Sequence, residues 1–147
     1  MITLSGFGYE DTLENPTDVF AETWKTRSFI NGPSVKKFEK QFAEYCGADS
    51  CVAVSSCTSA LQLSLLALQI RPGDEIITVP YTWVSTVEVI KQVGAIPVFV
   101  DIDLNDMCID PKQVAKKITK KTKAIIGVDL YGNVCDIDEL KKFNVPV

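Results

Sequence analysis

The spacing of apolar residues changes along the chain, and the changes mark out its elements. In Ser34–Gly47 they fall at Val35, Phe38, Phe42 and Tyr45, the three-to-four-residue repeat of a helix with one apolar face. Ser34 is expected to cap this helix and Gly47 to end it. Upstream, Pro16–Arg27 predicts another helix, with Pro at the first helical position, where its missing N–H costs nothing. Asn31-Gly32-Pro33 marks the turn between the two. Beyond Gly47, short apolar runs alternate with helical stretches. Cys51–Val54, Glu75–Val79, Ile96–Val100 and Lys123–Val128 are predicted strands, and Val145–Val147 reads as the start of a fifth. Thr58–Ile70, Thr82–Val93, Pro111–Ile118 and Asp136–Phe143 are predicted helices.

Strands written as continuous Val/Ile runs, each followed by a helix, predict an α/β domain. Its mostly parallel sheet should carry helices on both faces. A chain that stops within a predicted strand leaves ladder positions unused, so the sheet is expected to be interrupted at Val147. Residues 1–33 are assigned to an N-terminal helix and loop, and 34–147 to a partial large domain.

Composition narrows the partner. Hydrophobic residues make up 46% of the chain and charged ones 23%, ordinary for a globular protein, and the net charge of −4 gives no basic face for nucleic acid. The Lys-rich stretch 116–123 reads as a solvated helix end and turn. A small molecule or another protein fits this balance better. The five cysteines, Cys46, Cys51, Cys57, Cys108 and Cys135, form no C-x-x-C pair, and there is no histidine, so a Cys–His zinc site is not expected. Their odd number and scatter suit reduced thiols in the cytoplasm. Met1–Gly6 lacks the charged and apolar regions of a signal peptide, and no apolar run is long enough for a membrane span.

Two stretches carry candidate chemistry. In Val54-Ser-Ser-Cys-Thr-Ser-Ala-Leu61 small polar residues run straight into a predicted helix. The unpaired N–H groups of a first helical turn converge on one spot, and the helix dipole adds positive potential there. Ser56 and Thr58 could add hydroxyl donors, so an anion such as a phosphate group fits. Equally, Ser56 could simply cap the helix. No G-x-G-x-x-G or G-x-x-x-x-G-K-[ST] is present, which disfavours a dinucleotide or nucleoside triphosphate. In Pro80-Tyr-Thr-Trp-Val-Ser-Thr86, again just after a strand, Trp83 is either a packing anchor or a flat surface for an aromatic cofactor. Ligands of open parallel sheets bind beyond the carboxyl ends of the strands, which should bring Trp83 and Ser56–Thr58 to the same edge.

These stretches also carry a resemblance. From Ile30 to Val147 the chain resembles sugar aminotransferases of the DegT/StrS type, which have the aspartate-aminotransferase fold and use pyridoxal phosphate. Seven segments match in order: Gly32–Glu39, Val54–Leu61, Arg71–Ile77, Pro80–Trp83, Gly94–Asp103, Thr122–Ile126 and Val128–Gly132. The resemblance implies that Ser56, through its side chain, and Cys57 and Thr58, through their backbones, hold the cofactor phosphate, and that Trp83 stacks on its ring. It also implies a homodimer, a nucleotide-sugar substrate and an amino-acid donor. Cys57 stands where the family usually has Gly or Ala, and Asp129 where a His commonly precedes Leu-Tyr-Gly. The lysine that binds the cofactor covalently and the Asp that pairs with its ring nitrogen follow later in the family, so no catalytic residue is assigned within this chain. The expected function is therefore that of the N-terminal part of an aminotransferase, inactive by itself. The alternative is a non-catalytic relative that binds an anion or a protein.

Overall fold

The computed structural model describes residues 16–147, so the reading of Met1–Gly6 and the first part of segment 1–33 lie outside the described residues. The chain forms two compact units, Met1–Ala53 and Val54–Val147.

Within the first unit are α1 (Pro16–Thr26) and α2 (Pro33–Cys46). Pro33 opens α2 and Gly32 occupies the cap position without a side-chain bond, so Ser34 lies inside the first turn and is not the cap. A proline at the start already fixes the local backbone for helix and gives up an N–H that would have needed a cap. Gly47 closes α2 in the left-handed conformation, its N–H on the carbonyls of Ala43 and Glu44, as the sequence implied. Phe38 stacks on Phe42 at 5.5 Å between ring centroids, and Phe42 meets Tyr45 at 6.4 Å.

The second unit holds α3 (Cys57–Ala67), β1 (Glu75–Thr78), α4 (Val84–Gln92), β2 (Ile96–Phe99), α5 (Pro111–Lys117), β3 (Thr122–Ile125) and α6 (Ile137–Lys141). The strands form one parallel sheet in the order β2-β1-β3. Glu75 lies opposite Ile96 and Thr78 opposite Phe99. On the other side the register slips once, between Glu75 and Ile76. There Thr119 donates its hydroxyl to Glu75 Oε2 at 2.5 Å, while the buried Thr122 hydroxyl accepts the Thr119 N–H at 2.9 Å.

Successive strand residues face opposite sides, and each side has its own core. Ile77, Val79 and Ile125 pack with Cys108, Val114 of α5 and Leu140 of α6. Ile76 and Ala124 pack with Leu65 of α3 and Val89 and Ile90 of α4. Helices therefore cover both faces, as the unbroken apolar strands required. Burying one such side chain is favourable by about 1.5–3 kcal/mol.

The Arg71-Pro-Gly-Asp segment is a turn at the amino end of the sheet. Asp74 Oδ2 accepts the Arg71 N–H at 2.8 Å, and the Asp74 carbonyl accepts the N–H of Ile96 at 2.8 Å. Gly94 meets this turn. Its φ is +81°, and a Cβ there would stand 2.9 Å from Pro72 Cγ, so the position excludes any side chain on both counts.

Two predicted strands are absent. Cys51–Val54 has no strand partner; instead the Ala53 N–H bonds to Glu39 Oε1 at 2.8 Å. Its composition suits a strand, but nothing pairs with it. Val145–Val147 is irregular as well, although the Ile125 N–H donates to the Pro146 carbonyl at 2.8 Å, a single contact on the outer edge of β3. Pro146 has no N–H to return, so no ladder develops through it.

Candidate cofactor site

Ser56 sits with extended backbone (φ −161°, ψ 159°) at the cap of α3, and its Oγ accepts the Ser59 N–H at 3.1 Å. The two hydroxyls of Ser56 and Ser59 are 3.0 Å apart. The simpler reading of Ser56 thus holds: its hydroxyl caps the helix. Capping still leaves work for the first turn, because the N–H groups of Cys57 and Thr58 precede any intrahelical acceptor. The Cys57 side chain is exposed and that of Thr58 partly so.

The short link Leu68–Asp74 returns the chain from the end of α3 to the start of β1, so α3 runs back along the sheet. This directs its N-terminus toward the end where β1 finishes. Pro80–Trp83 leaves β1 at that end and leads into α4, which packs directly on α3. Trp83 is the cap residue of α4, its carbonyl accepting the Thr86 N–H at 3.1 Å, and its side chain is 78% exposed. A ring this open is no core anchor within its unit. The neighbouring Thr82 hydroxyl pairs with that of Thr86 at 3.0 Å, which fixes the loop to the first turn of α4.

The loop after β3 reaches the same end of the sheet. The Thr78 hydroxyl donates to the Ile126 carbonyl at 3.0 Å, and the Ile126 N–H donates to the Ile77 carbonyl at 2.9 Å, holding the two strand ends together. Beyond them Tyr81 and Tyr131 meet hydroxyl to hydroxyl at 3.0 Å. This bond holds Tyr81 above the usual tyrosine pKa of 10.0, with the charge of Tyr131 and desolvation adding smaller pushes. Nothing in the spacing of the sequence signalled that these two tyrosines meet.

Asp129 has a structural partner: its Oδ1 accepts the Cys135 N–H at 2.9 Å. The Cys135 thiol is buried, and burial first, then hydrogen bonding to Asp129 and the nearby Cys108, push it up to about 12. Cys108 Sγ in turn contacts the Asn133 carbonyl at 3.3 Å. All five cysteines are free thiols. Among the described residues no three His, Cys, Asp or Glu side chains gather as a metal site, and no helix is long and apolar enough to cross a membrane.

Residues 11–145 match the model of the DegT/DnrJ/EryC1/StrS aminotransferase family. The chain belongs to this family. It is 43% identical over 131 residues to the spore coat polysaccharide biosynthesis protein SpsC of Bacillus subtilis, covering 89% of this chain and 33% of that protein. It is 42% identical over 123 residues to a UDP-2-acetamido-2-deoxy-3-oxo-D-glucuronate aminotransferase of Pseudomonas aeruginosa, covering 81% of this chain and 34% of that one. The chain thus spans about a third of the length of the curated relatives it matches. Among solved family structures, NtdA of Bacillus subtilis with bound PMP superposes with a TM-score of 0.83 at 34% identity, over 86% of this chain and 29% of that one. The Escherichia coli GDP-4-keto-6-deoxy-D-mannose-3-dehydratase with bound hydrated PLP does so with 0.82 at 34% identity, over 89% and 36%. The fold is that of the pyridoxal-phosphate aminotransferases, and the family resemblance implies that cofactor.

Proposed function

We propose that this chain is the N-terminal part of an enzyme that moves an amino group from an amino acid, glutamate in our reading, to a nucleotide-linked keto-sugar. In this reading residues 34–147 belong to the large cofactor-binding domain, and the working enzyme is a cytoplasmic homodimer. The observation that carries it is the start of α3. Ser56 caps the helix and leaves the N–H groups of Cys57 and Thr58 pointing outward, at the positive end of the helix dipole.

The residues present fit a planar, phosphate-bearing group. Cys57 and Thr58 would donate their backbone N–H groups to phosphate oxygens, with Thr58 Oγ1 as a further donor. Ser56 would act mainly by holding that turn open. Trp83, on the open side of its loop, would cover one face of the ring and keep water from it. Pyridoxal phosphate, when bound, supplies an electron sink for bond changes at the carbon carrying the nitrogen. None of the four residues handles a proton in this scheme, and no lysine of the chain is assigned to the cofactor. The chain alone is therefore expected to bind without transferring amino groups.

The engaged hydroxyl of Ser56 favours a second reading, a non-catalytic relative that binds an anion or a protein. One experiment separates them. The purified chain is titrated with pyridoxal phosphate and with inorganic phosphate, then reduced with borohydride and weighed intact. Our reading expects saturable binding of pyridoxal phosphate, tighter than that of phosphate, with scattered, substoichiometric labelling of lysines. Phosphate binding as tight as that of the cofactor would favour the second reading. A stoichiometric adduct at one lysine, with transfer from glutamate to a keto-sugar nucleotide, would refute the inactivity of the chain.

A further inference from the structure

Tyr131 stands in the left-handed region, with φ 57° and ψ 18°, inside the short 3-10 turn Leu130–Gly132. A bulky side chain rarely adopts this backbone, and such strain persists only where surrounding contacts fix it. Several contacts do so here. The Leu130 N–H bonds to the Val128 carbonyl at 2.9 Å, the Gly132 N–H to the Asp129 carbonyl at 3.2 Å, and the Asn133 N–H to the Leu130 carbonyl at 3.0 Å. Asp129 then ties the turn forward to Cys135. The result places the Tyr131 hydroxyl on that of Tyr81, 50 residues earlier.

Tyr81 lies two residues before Trp83 in the loop Pro80–Trp83. At its other end this loop is fixed to α4 through Thr82 and Thr86. Trp83 itself is mostly exposed, so its orientation depends on how the loop is held. Among the described residues, the Tyr81–Tyr131 bond is the side-chain hydrogen bond that joins this loop to the loop after β3.

We propose that the paired hydroxyls of Tyr81 and Tyr131 form a strap that sets the position of Trp83, which makes both tyrosines positioning residues for the ring contact. The proposal rests on the reading of Trp83 as that contact. Strain at Tyr131 is what the strap costs, and the fixed loop is what it gives. A flat side chain held in place before the ligand arrives loses less freedom on binding than a mobile one.

The test uses the whole chain with Trp24→Phe, which leaves Trp83 as the source of the indole N–H resonance. Tyr81→Phe and Tyr131→Phe should each move that resonance in the absence of ligand, and the double variant should move it no further. Tyr131→Gly, which removes the hydroxyl but suits the left-handed backbone, should produce the same loss. In all of them pyridoxal phosphate affinity should fall about two- to tenfold, the scale of one exposed hydrogen bond. A Trp83 resonance unmoved by either Phe variant, or additive shifts in the double variant, would overturn the strap. A resonance that behaves as expected in a chain that binds no pyridoxal phosphate would keep the strap and discard the reading of the site.

Discussion

Asp129 and Cys135 are joined side chain to backbone, the carboxylate of the first accepting the N–H of the second at 2.9 Å. In the family resemblance Asp129 stands where a His is common, a departure that speaks against a substrate role at that position. Its partner here gives it work within the fold. Replacing it by Ala leaves the N–H of a buried residue without an acceptor, which costs about 1–3 kcal/mol. Asp129→Ala should lower the urea midpoint with an unchanged slope, while pyridoxal phosphate binding weakens only as far as the Tyr131 turn loosens.

The same neighbourhood sets a dependence on pH. The Cys135 thiol rises from 9.0 to about 12 on folding, so the folded protein keeps its proton at pH values where the unfolded chain loses it. This contribution is complete below pH 9.0 and is lost as the pH climbs toward 12. Stability should therefore fall on the alkaline side, by no more than about 1.4 kcal/mol per pH unit from this group. Cys135→Ala should show a shallower alkaline decline in urea unfolding than the parent. Parallel curves would exclude the thiol as the cause.

A third expectation concerns Gly94. Gly94→Ala forces a methyl group to within 2.9 Å of Pro72 Cγ on a backbone with φ +81°. Together these should cost more than about 1 kcal/mol and lower the melting temperature by several degrees. Ligand binding should survive at temperatures where the variant is folded, because this turn lies at the amino end of the sheet, away from α3's start.

At the site, Thr58→Pro is the sharpest change. Pro is tolerated early in a helix, so α3 should persist, but one backbone donor disappears. Phosphate and pyridoxal phosphate should both bind more weakly, by about fivefold or more if the lost bond is charge-assisted. Calorimetric titration showing unchanged affinity would reduce the start of α3 to a capped helix end.

The sequence made the layered plan legible because burial on both faces leaves a plain mark: Ile76 and Ile77 are adjacent, yet each belongs to a different core. Helix starts were readable where a proline or a capping side chain declares them, as at Pro111 after Asp110, whose Oδ1 accepts the Lys112 N–H. Strandhood at Cys51–Val54 was not, because a strand exists only through its partner, and composition records no partner. The site divides in the same way. Ser56 and Trp83 announced themselves by standing at junctions, but whether the Ser56 hydroxyl faces Ser59 or a ligand is a rotamer choice. Tyr81 and Tyr131 were invisible as a pair for a related reason: their meeting depends on one left-handed residue and on two loops whose paths no local pattern fixes.

The strand order β2-β1-β3 also sets a timetable. The middle strand is the first of the three to be synthesised, and its flanks wait for segments made later, one across α4 and the other across α5. A growing chain that has reached Gly94 carries Ile76 and Ile77 with neither neighbour in place. Closure on the β2 side needs about twenty residues of connection, and closure on the β3 side more than twice that, so the first edge should zip before the second. For that interval the nascent protein exposes the strand that is most deeply buried in the finished sheet. The ribosome-bound intermediate, more than the finished fold, is where this polypeptide is most open to capture by a chaperone or by another copy of itself.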